Sequence, residues 1–132
     1  LLNQETAQAK FVYKRFKKID DEYQETLKHA IKAKTKDKIL FYKYAQNRMS
    51  LNQDLSNELM YKFPDKVVLV GRERNGELKL SLRTNKYNLP SIIKKALEGC
   101  EGYGGGHEHA CGANVKAKDF DRFMEQFRAQ LK

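Results

Sequence analysis

The sequence predicts an α/β domain: a mixed β-sheet of about four strands covered by helices, preceded by a long amphipathic helix. The apolar residues recur at steps of three and four in some segments and alternate in others, so helices and strands take turns along the chain. Asn75-Gly76 lies between two apolar runs, the strongest short-range signal for a hairpin. Long Pro- and Gly-free stretches separate from Gly-rich ones, which marks where elements stop.

From Gln4 to about Lys34 there is neither Pro nor Gly, and Val12, Phe16, Ile19, Tyr23, Leu27 and Ala30/Ile31 form one apolar stripe. Lys14, Arg15, Lys17, Lys18, Lys28 and Lys32 lie mostly off it. A helix of about 30 residues spans roughly 45 Å, longer than a domain of this size covers. Part of it is therefore expected to pack on another domain or chain. We read residues 1–36 as this linking helix and 37–132 as the α/β domain.

"KILFYKYAQ" (Lys38 to Gln46) reads as a buried strand. "SLNQ" (Ser50 to Gln53) has the form of a capping box, and Leu51, Leu55, Leu59, Met60 and Phe63 follow at helical spacing until Pro64 closes the helix. Val67 to Val70 is a strand, and after the Asn75-Gly76 turn Leu78, Leu80 and Leu82 alternate with Lys79, Ser81 and Arg83. One face is core and the other polar, with Arg83 ending the strand on the polar face. Asn88 caps a helix with Pro90 in its first turn, Ile92, Ile93, Ala96 and Leu97 on its apolar face, and Gly99 as its stop. A glycine-rich loop follows, then a strand from His109 to Lys116, then a helix capped by Asp119 with Phe120, Phe123, Met124, Phe127 and Leu131 along one face.

The 132 residues carry 26 Lys and Arg against 17 Asp and Glu, a formal charge of +9. Such an excess favours an anionic partner, nucleic acid first. No apolar run approaches a membrane span and no signal-peptide pattern is present, so a cytoplasmic location is expected. The start at Leu1-Leu2 without Met fits a fragment or a processed chain. Two cysteines, Cys100 and Cys111, do not make a disulfide framework and read as reduced, small core residues.

The densest cluster of chemistry is "EGYGGGHEHACGAN", Glu101 to Asn114. Cys100, His107, His109 and Cys111 offer the ligand set zinc favours, but no CxxC or HxxxH spacing holds them together, and no metal site is predicted. A phosphate cradle fits better. Successive glycines let a ligand approach the main chain, their N–H groups can converge on an anion, and His107 can add a donor. The dinucleotide GxGxxG and P-loop motifs are absent. No Ser/His/Asp elbow appears. The carboxylates at Asp20-Asp21-Glu22 and at Asp119/Asp121 sit on a helix surface or cap, so no catalytic residue is assigned.

"YGGGHEHACGANV" (Tyr103 to Val115) resembles the glycine-rich signature, written GGGHxxAAGA, of the DHH-associated domain. This is the C-terminal, substrate-binding half of DHH-family phosphoesterases, and the chain is most similar to the RecJ-related single-strand exonucleases of archaeal type. Gly104-Gly105-Gly106-His107 matches directly, and Ala110-Cys111-Gly112-Ala113 matches with Cys111 in an alanine's place. "LKLSLR" (Leu78 to Arg83) resembles the family strand ending in Ser-x-Arg, and "NLPSIIKKALEG" its helix before the glycines.

The resemblance implies Arg83, Gly104, Gly105, Gly106 and His107 as the substrate- or phosphate-binding residues, with Ser81 a weaker carry-over. It implies manganese or magnesium on a catalytic domain that these residues do not contain, since no Asp-His-His motif occurs. The expected function is a domain binding single-stranded nucleic acid or a short oligonucleotide and positioning its scissile phosphate for that metal-dependent domain. The alternatives are the tRNA-binding C-terminal domain of an alanyl-tRNA-synthetase-like protein, the substrate domain of a cyclic-dinucleotide phosphoesterase, and a non-catalytic domain that dimerises through its long helix.

Overall fold

A computed structural model describes residues 21–32, 38–45 and 51–131. By its contacts the chain divides into two compact units, Leu1–Lys32 and Ala33–Lys132. In the first unit residues 21–32 are helical (α1), with Leu27 and Ala30 of the predicted stripe buried. The rest of the long-helix reading, residues 1–20 and 33–36, lies outside the described residues.

The second unit holds a five-stranded mixed sheet. Its elements run β1 (Ile39–Ala45), α2 (Asn52–Lys62), β2 (Val67–Arg74), β3 (Glu77–Arg83), α3 (Leu89–Ala96), β4 (Gly102–His107), β5 (Ala110–Lys116) and α4 (Phe120–Ala129). The strand order is β1-β2-β3-β5-β4, parallel between β1 and β2 and antiparallel elsewhere. The α/β class is as the sequence predicts. The extra strand is β4: the glycine segment read as a loop pairs along its length with β5, from Gly102 opposite Val115 to His107 opposite Ala110. Glycine's poor strand propensity hides it in the sequence. The register supplies what propensity does not, because side-chain-free positions let β4 approach its neighbour closely.

Asn75 (φ 52°) and Gly76 (φ 76°) both adopt the left-handed conformation that a tight hairpin turn requires, and they join β2 to β3. The next strand to pair with β3 is β5, and the β3–β5 connection passes through α3 and β4. On one face of the sheet Val67, Leu69, Leu78, Leu80, Leu82, Cys111, Ala113 and Val115 pack with Ile92, Ile93 and Ala96 of α3 and with Phe123 and Phe127 of α4. The rings of Phe123 and Phe127 lie 5.9 Å apart, and Phe120 links the cluster to Phe41 at 5.2 Å. Fully burying each such side chain stabilises the fold by about 1.5–3 kcal/mol, so this face is the main core.

On the opposite face Leu40, Val68 and Val70 are buried, and α2 lies along β2 and β3 with Leu55 and Leu59 buried. The predicted capping box needs the Ser50 hydroxyl. Ser50 lies outside the described residues, Leu51 occupies the cap position, and it makes no side-chain cap bond. Instead the Leu51 N–H donates to the Tyr44 hydroxyl (2.7 Å), that hydroxyl donates to Asn52 Oδ1 (2.7 Å), and Asn52 Nδ2 donates to the Lys79 carbonyl (2.6 Å). A buried polar chain thus pins the start of α2 to β1 and β3, with each donor satisfied.

Asn88 caps α3 as predicted, its Oδ1 accepting from Ser91 N at 3.2 Å. Asp119 does not cap α4 through its side chain. A 3-10 turn (Ala117–Asp119) precedes the helix, and the Asp119 carboxylate accepts from the Glu101 N–H at 2.8 Å, tying the helix start to the strand entering β4.

Candidate nucleic-acid interface

Residues that pair across a sheet share a face. The register therefore places Val68, Arg83, Ala110 and His107 in one row, and Val70, Ser81, Gly112 and Gly105 in the next, on the face opposite α3 and α4. Here α2 covers β2 and part of β3 and stops short of β4 and β5. The result is a shelf floored by Ser81, Ala110, Gly112 and Gly105, with Arg83 on one side and His107 on the other. At about 4.8 Å per strand spacing, their backbones stand roughly 10 Å apart with only Ala110 between them. The structure thus brings together Arg83, Ser81, Gly105 and His107.

Arg83 is held in place. Its Nε donates to Asn57 Oδ1 of α2 at 2.8 Å, and its Nη1 donates to the carbonyls of Leu82 (2.8 Å) and Cys111 (3.3 Å). Among the described residues its Nη2 takes part in none of these bonds, which leaves one edge of the guanidinium for an acceptor such as a phosphate oxygen. Burial lowers the guanidinium pKa from its ordinary value, with the Cys111 thiol acting in the opposite sense, and the group remains a cation at working pH.

His107 ends β4 and is exposed. The turn after it is fixed by two main-chain bonds, from Thr84 N to the His109 carbonyl (3.2 Å) and from Leu89 N to the Glu108 carbonyl (2.9 Å). His109 belongs to this turn rather than to the strand, which begins at Ala110. The Cys111 thiol donates to the His107 carbonyl at 3.1 Å and is buried among core residues. Burial pushes the thiol's pKa up, with Arg83 pulling the other way, so it stays protonated and unreactive.

The glycines divide by face. A Cβ on Gly104 would meet Ala113 Cβ at 2.8 Å and the Gly112 carbonyl at 2.9 Å; one on Gly106, at φ 144°, would meet the Ala110 carbonyl at 2.8 Å. Packing alone explains both. Gly105 is different, because nothing lies within 4 Å of its Cβ position, and Gly112 has only the Leu80 carbonyl, at 3.6 Å. Internal packing does not explain these two, and they lie on the open shelf.

Among the described residues no group of three or more His, Cys, Asp or Glu side chains is placed to hold a metal ion. Asp119 and Asp121 form an Asp-x-Asp in sequence, but the Asp119 carboxylate is engaged by Glu101 N. No helix among the described residues is long and apolar enough to cross a membrane. Sequence reading missed Asn57, Ala110 and Gly112 as parts of the shelf. The run of small residues at Ala110 to Ala113 is the signal for the last two, whereas nothing in the sequence points from Asn57 to Arg83.

A search of curated protein sequences found no match. Solved structures with the same fold include an exonuclease RecJ bound to manganese (TM-score 0.70, 15% identity, 98% of this chain and 34% of that one). The C-Ala domain of Aquifex aeolicus alanyl-tRNA synthetase aligns with TM-score 0.58 at 15% identity, over 69% of this chain and 87% of that one. The pGpG-specific phosphodiesterase PggH from Vibrio cholerae aligns with TM-score 0.59 at 14% identity, over 83% of this chain and 39% of that one. The chain thus spans about a third of the RecJ structure. The family model of the DHHA1 domain matches residues 36–132, which hold all five strands of the sheet and α2 to α4. The chain belongs to the DHHA1 domain family.

Proposed function

We propose that this chain binds single-stranded nucleic acid or a short oligonucleotide and presents its scissile phosphate to a metal-dependent catalytic domain carried elsewhere in the protein. The observation that carries the reading is the shelf: an anchored Arg83 and an exposed His107 flank Gly105 and Gly112, whose Cβ positions are open. Glycine at such positions lets a sugar–phosphate backbone lie against the main chain. Arg83 supplies a fixed cation and His107 a ring donor for the same phosphate. The net charge of +9 adds sequence-independent attraction. The fold shared with an exonuclease and a pGpG-specific phosphodiesterase supports the substrate class. Manganese or magnesium, on this reading, belongs to the catalytic domain, and its role would be to activate water and stabilise charge on the transferring phosphate.

Fluorescence anisotropy with labelled oligothymidylate tests the assignment. Binding is expected to weaken steeply with salt, and Arg83→Ala and His107→Ala are each expected to reduce affinity by about tenfold, the scale of a lost charge-assisted bond. Unchanged affinity in both variants would remove the shelf as the site. Preference for structured tRNA would favour a role like that of a C-Ala domain, and competition by a cyclic dinucleotide but not by longer strands would favour a small-nucleotide substrate.

A further inference from the structure

The open face continues past the shelf. Two residues along β4 from Gly105 stands Tyr103, on the same face because strand side chains alternate. Tyr103 is 71% exposed, although it sits on a strand. Its row reads Arg72, Lys79, Asn114, Tyr103 across β2, β3, β5 and β4. In the next row Arg74 stands opposite Glu77. Between these residues the surface is hollowed into a recess of about 110 Å³ lined by Arg72, Arg74, Asn75, Glu77, Lys79 and Asn114.

The recess is cationic beyond its residue count. Its acid, Glu77, is engaged by Lys116, which holds the Glu77 carboxyl below the usual carboxylate range. Among the described residues Arg72, Arg74 and Lys79 form no ion pair, and the buried Nε of Arg72 has no hydrogen-bond partner. Tyr103 stands one strand beyond Asn114, which lines the recess, so one sheet face carries both an exposed aromatic and a group of cations, the combination with which proteins stack single-stranded bases and neutralise their phosphates.

We infer that Tyr103 and the recess form a second nucleotide subsite, in which the Tyr103 ring stacks a base and Arg72, Arg74 and Lys79 hold the adjoining phosphate. From His107 to Tyr103 is four strand residues, about 13 Å. A lone phosphate cannot bridge that distance, but a strand of a few nucleotides can. The site would therefore select by length, binding oligonucleotides better than mononucleotides. This deepens the single-strand reading and rests on it.

The test measures affinity of the 132-residue chain for thymidine monophosphate and for oligothymidylates from the dinucleotide to the hexanucleotide. Affinity is expected to rise with length and level off once both subsites are filled. Tyr103→Ala should weaken the hexanucleotide roughly ten- to a hundredfold and leave the mononucleotide unchanged, with Tyr103→Phe keeping the stack. Lys79→Ala should reduce the salt slope by about 0.7 for the hexanucleotide alone. Affinity independent of length, or a Tyr103→Ala loss equal at every length, overturns the second subsite. Mononucleotide binding that still depends on Arg83 would then leave the first reading standing. If no nucleotide of any length binds, both fall together.

Discussion

On the face covered by α3 and α4, β3 and β5 present Leu78, Leu80, Leu82, Cys111, Ala113 and Val115, and all are buried. From the same strands the opposite face presents Lys79, Ser81, Arg83, Ala110, Gly112 and Asn114, and none of these is buried. The alternation is a property of strands. The difference lies in the cover: one face lies under α3 and α4, whereas on the other α2 lies along β2 and β3. Glycine makes the contrast sharpest. On the helix side Gly104 and Gly106 are fixed by contacts already present, whereas on the open side Gly105 and Gly112 have none that would exclude a methyl group.

The largest expected effect is on the covered face. Phe123 is fully buried, stacked on Phe120 and tilted against Phe127. Phe123→Ala should cost about 3–5 kcal/mol in chemical denaturation, through lost transfer energy and the cavity left behind. A loss below about 1 kcal/mol would mean that α4 is not the main cover of the sheet.

A paired substitution in β4 divides the faces directly. Gly104→Ala should destabilise by about 1–3 kcal/mol, because its Cβ meets backbone and the Ala113 methyl rather than a movable side-chain tip. Gly105→Ala should leave stability unchanged or raise it by up to about 1 kcal/mol, since alanine restricts the unfolded chain. Its effect should fall on oligonucleotide affinity instead, on the order of tenfold, as the methyl lifts the ligand off the main chain. Equal stability losses in the two variants would erase the distinction between the faces.

The covered face was the more legible in the sequence, and the reason is periodicity. Leu78/Leu80/Leu82 and Phe120/Phe123/Phe127 announce strand and helix because burial repeats with the geometry of the element. The Asn75-Gly76 turn was readable because its backbone conformation admits few residue types. β4 was not, since a strand of glycines has no side chains to repeat. On the open face only β3 carries a period, the alternation that puts Lys79, Ser81 and Arg83 on the polar side; the glycine positions of β4 were singled out by composition and by the signature resemblance at Gly104 to His107. The Asn57–Arg83 bond and the Tyr44–Asn52–Lys79 chain join residues 26 and 27 positions apart, in hydrogen bonds that local pattern does not encode.

The smallest expected effect tests whether the open face contributes to folding at all. Glu77 and Lys116 form an ion pair there, and each shifts the other: the carboxyl pKa is lowered and the ammonium pKa raised, in both cases first by their hydrogen bond. A lowered carboxyl pKa stabilises the fold above the unfolded value, and that contribution is lost as pH falls through the folded one. A raised lysine pKa stabilises below its unfolded value and is lost as pH rises through the folded one. The pair should therefore act as a constant across neutral pH and fade at both extremes. Solvent screens such exposed pairs, so Glu77→Gln should lower Tm only slightly at pH 7. The gap from wild type should close in acid, where Glu77 is protonated in both states. A large gap that persists in acid would mean that Glu77 holds the β2–β3 hairpin by packing rather than by charge. The open face would then be part of the folded core's support and not a surface left free for a ligand.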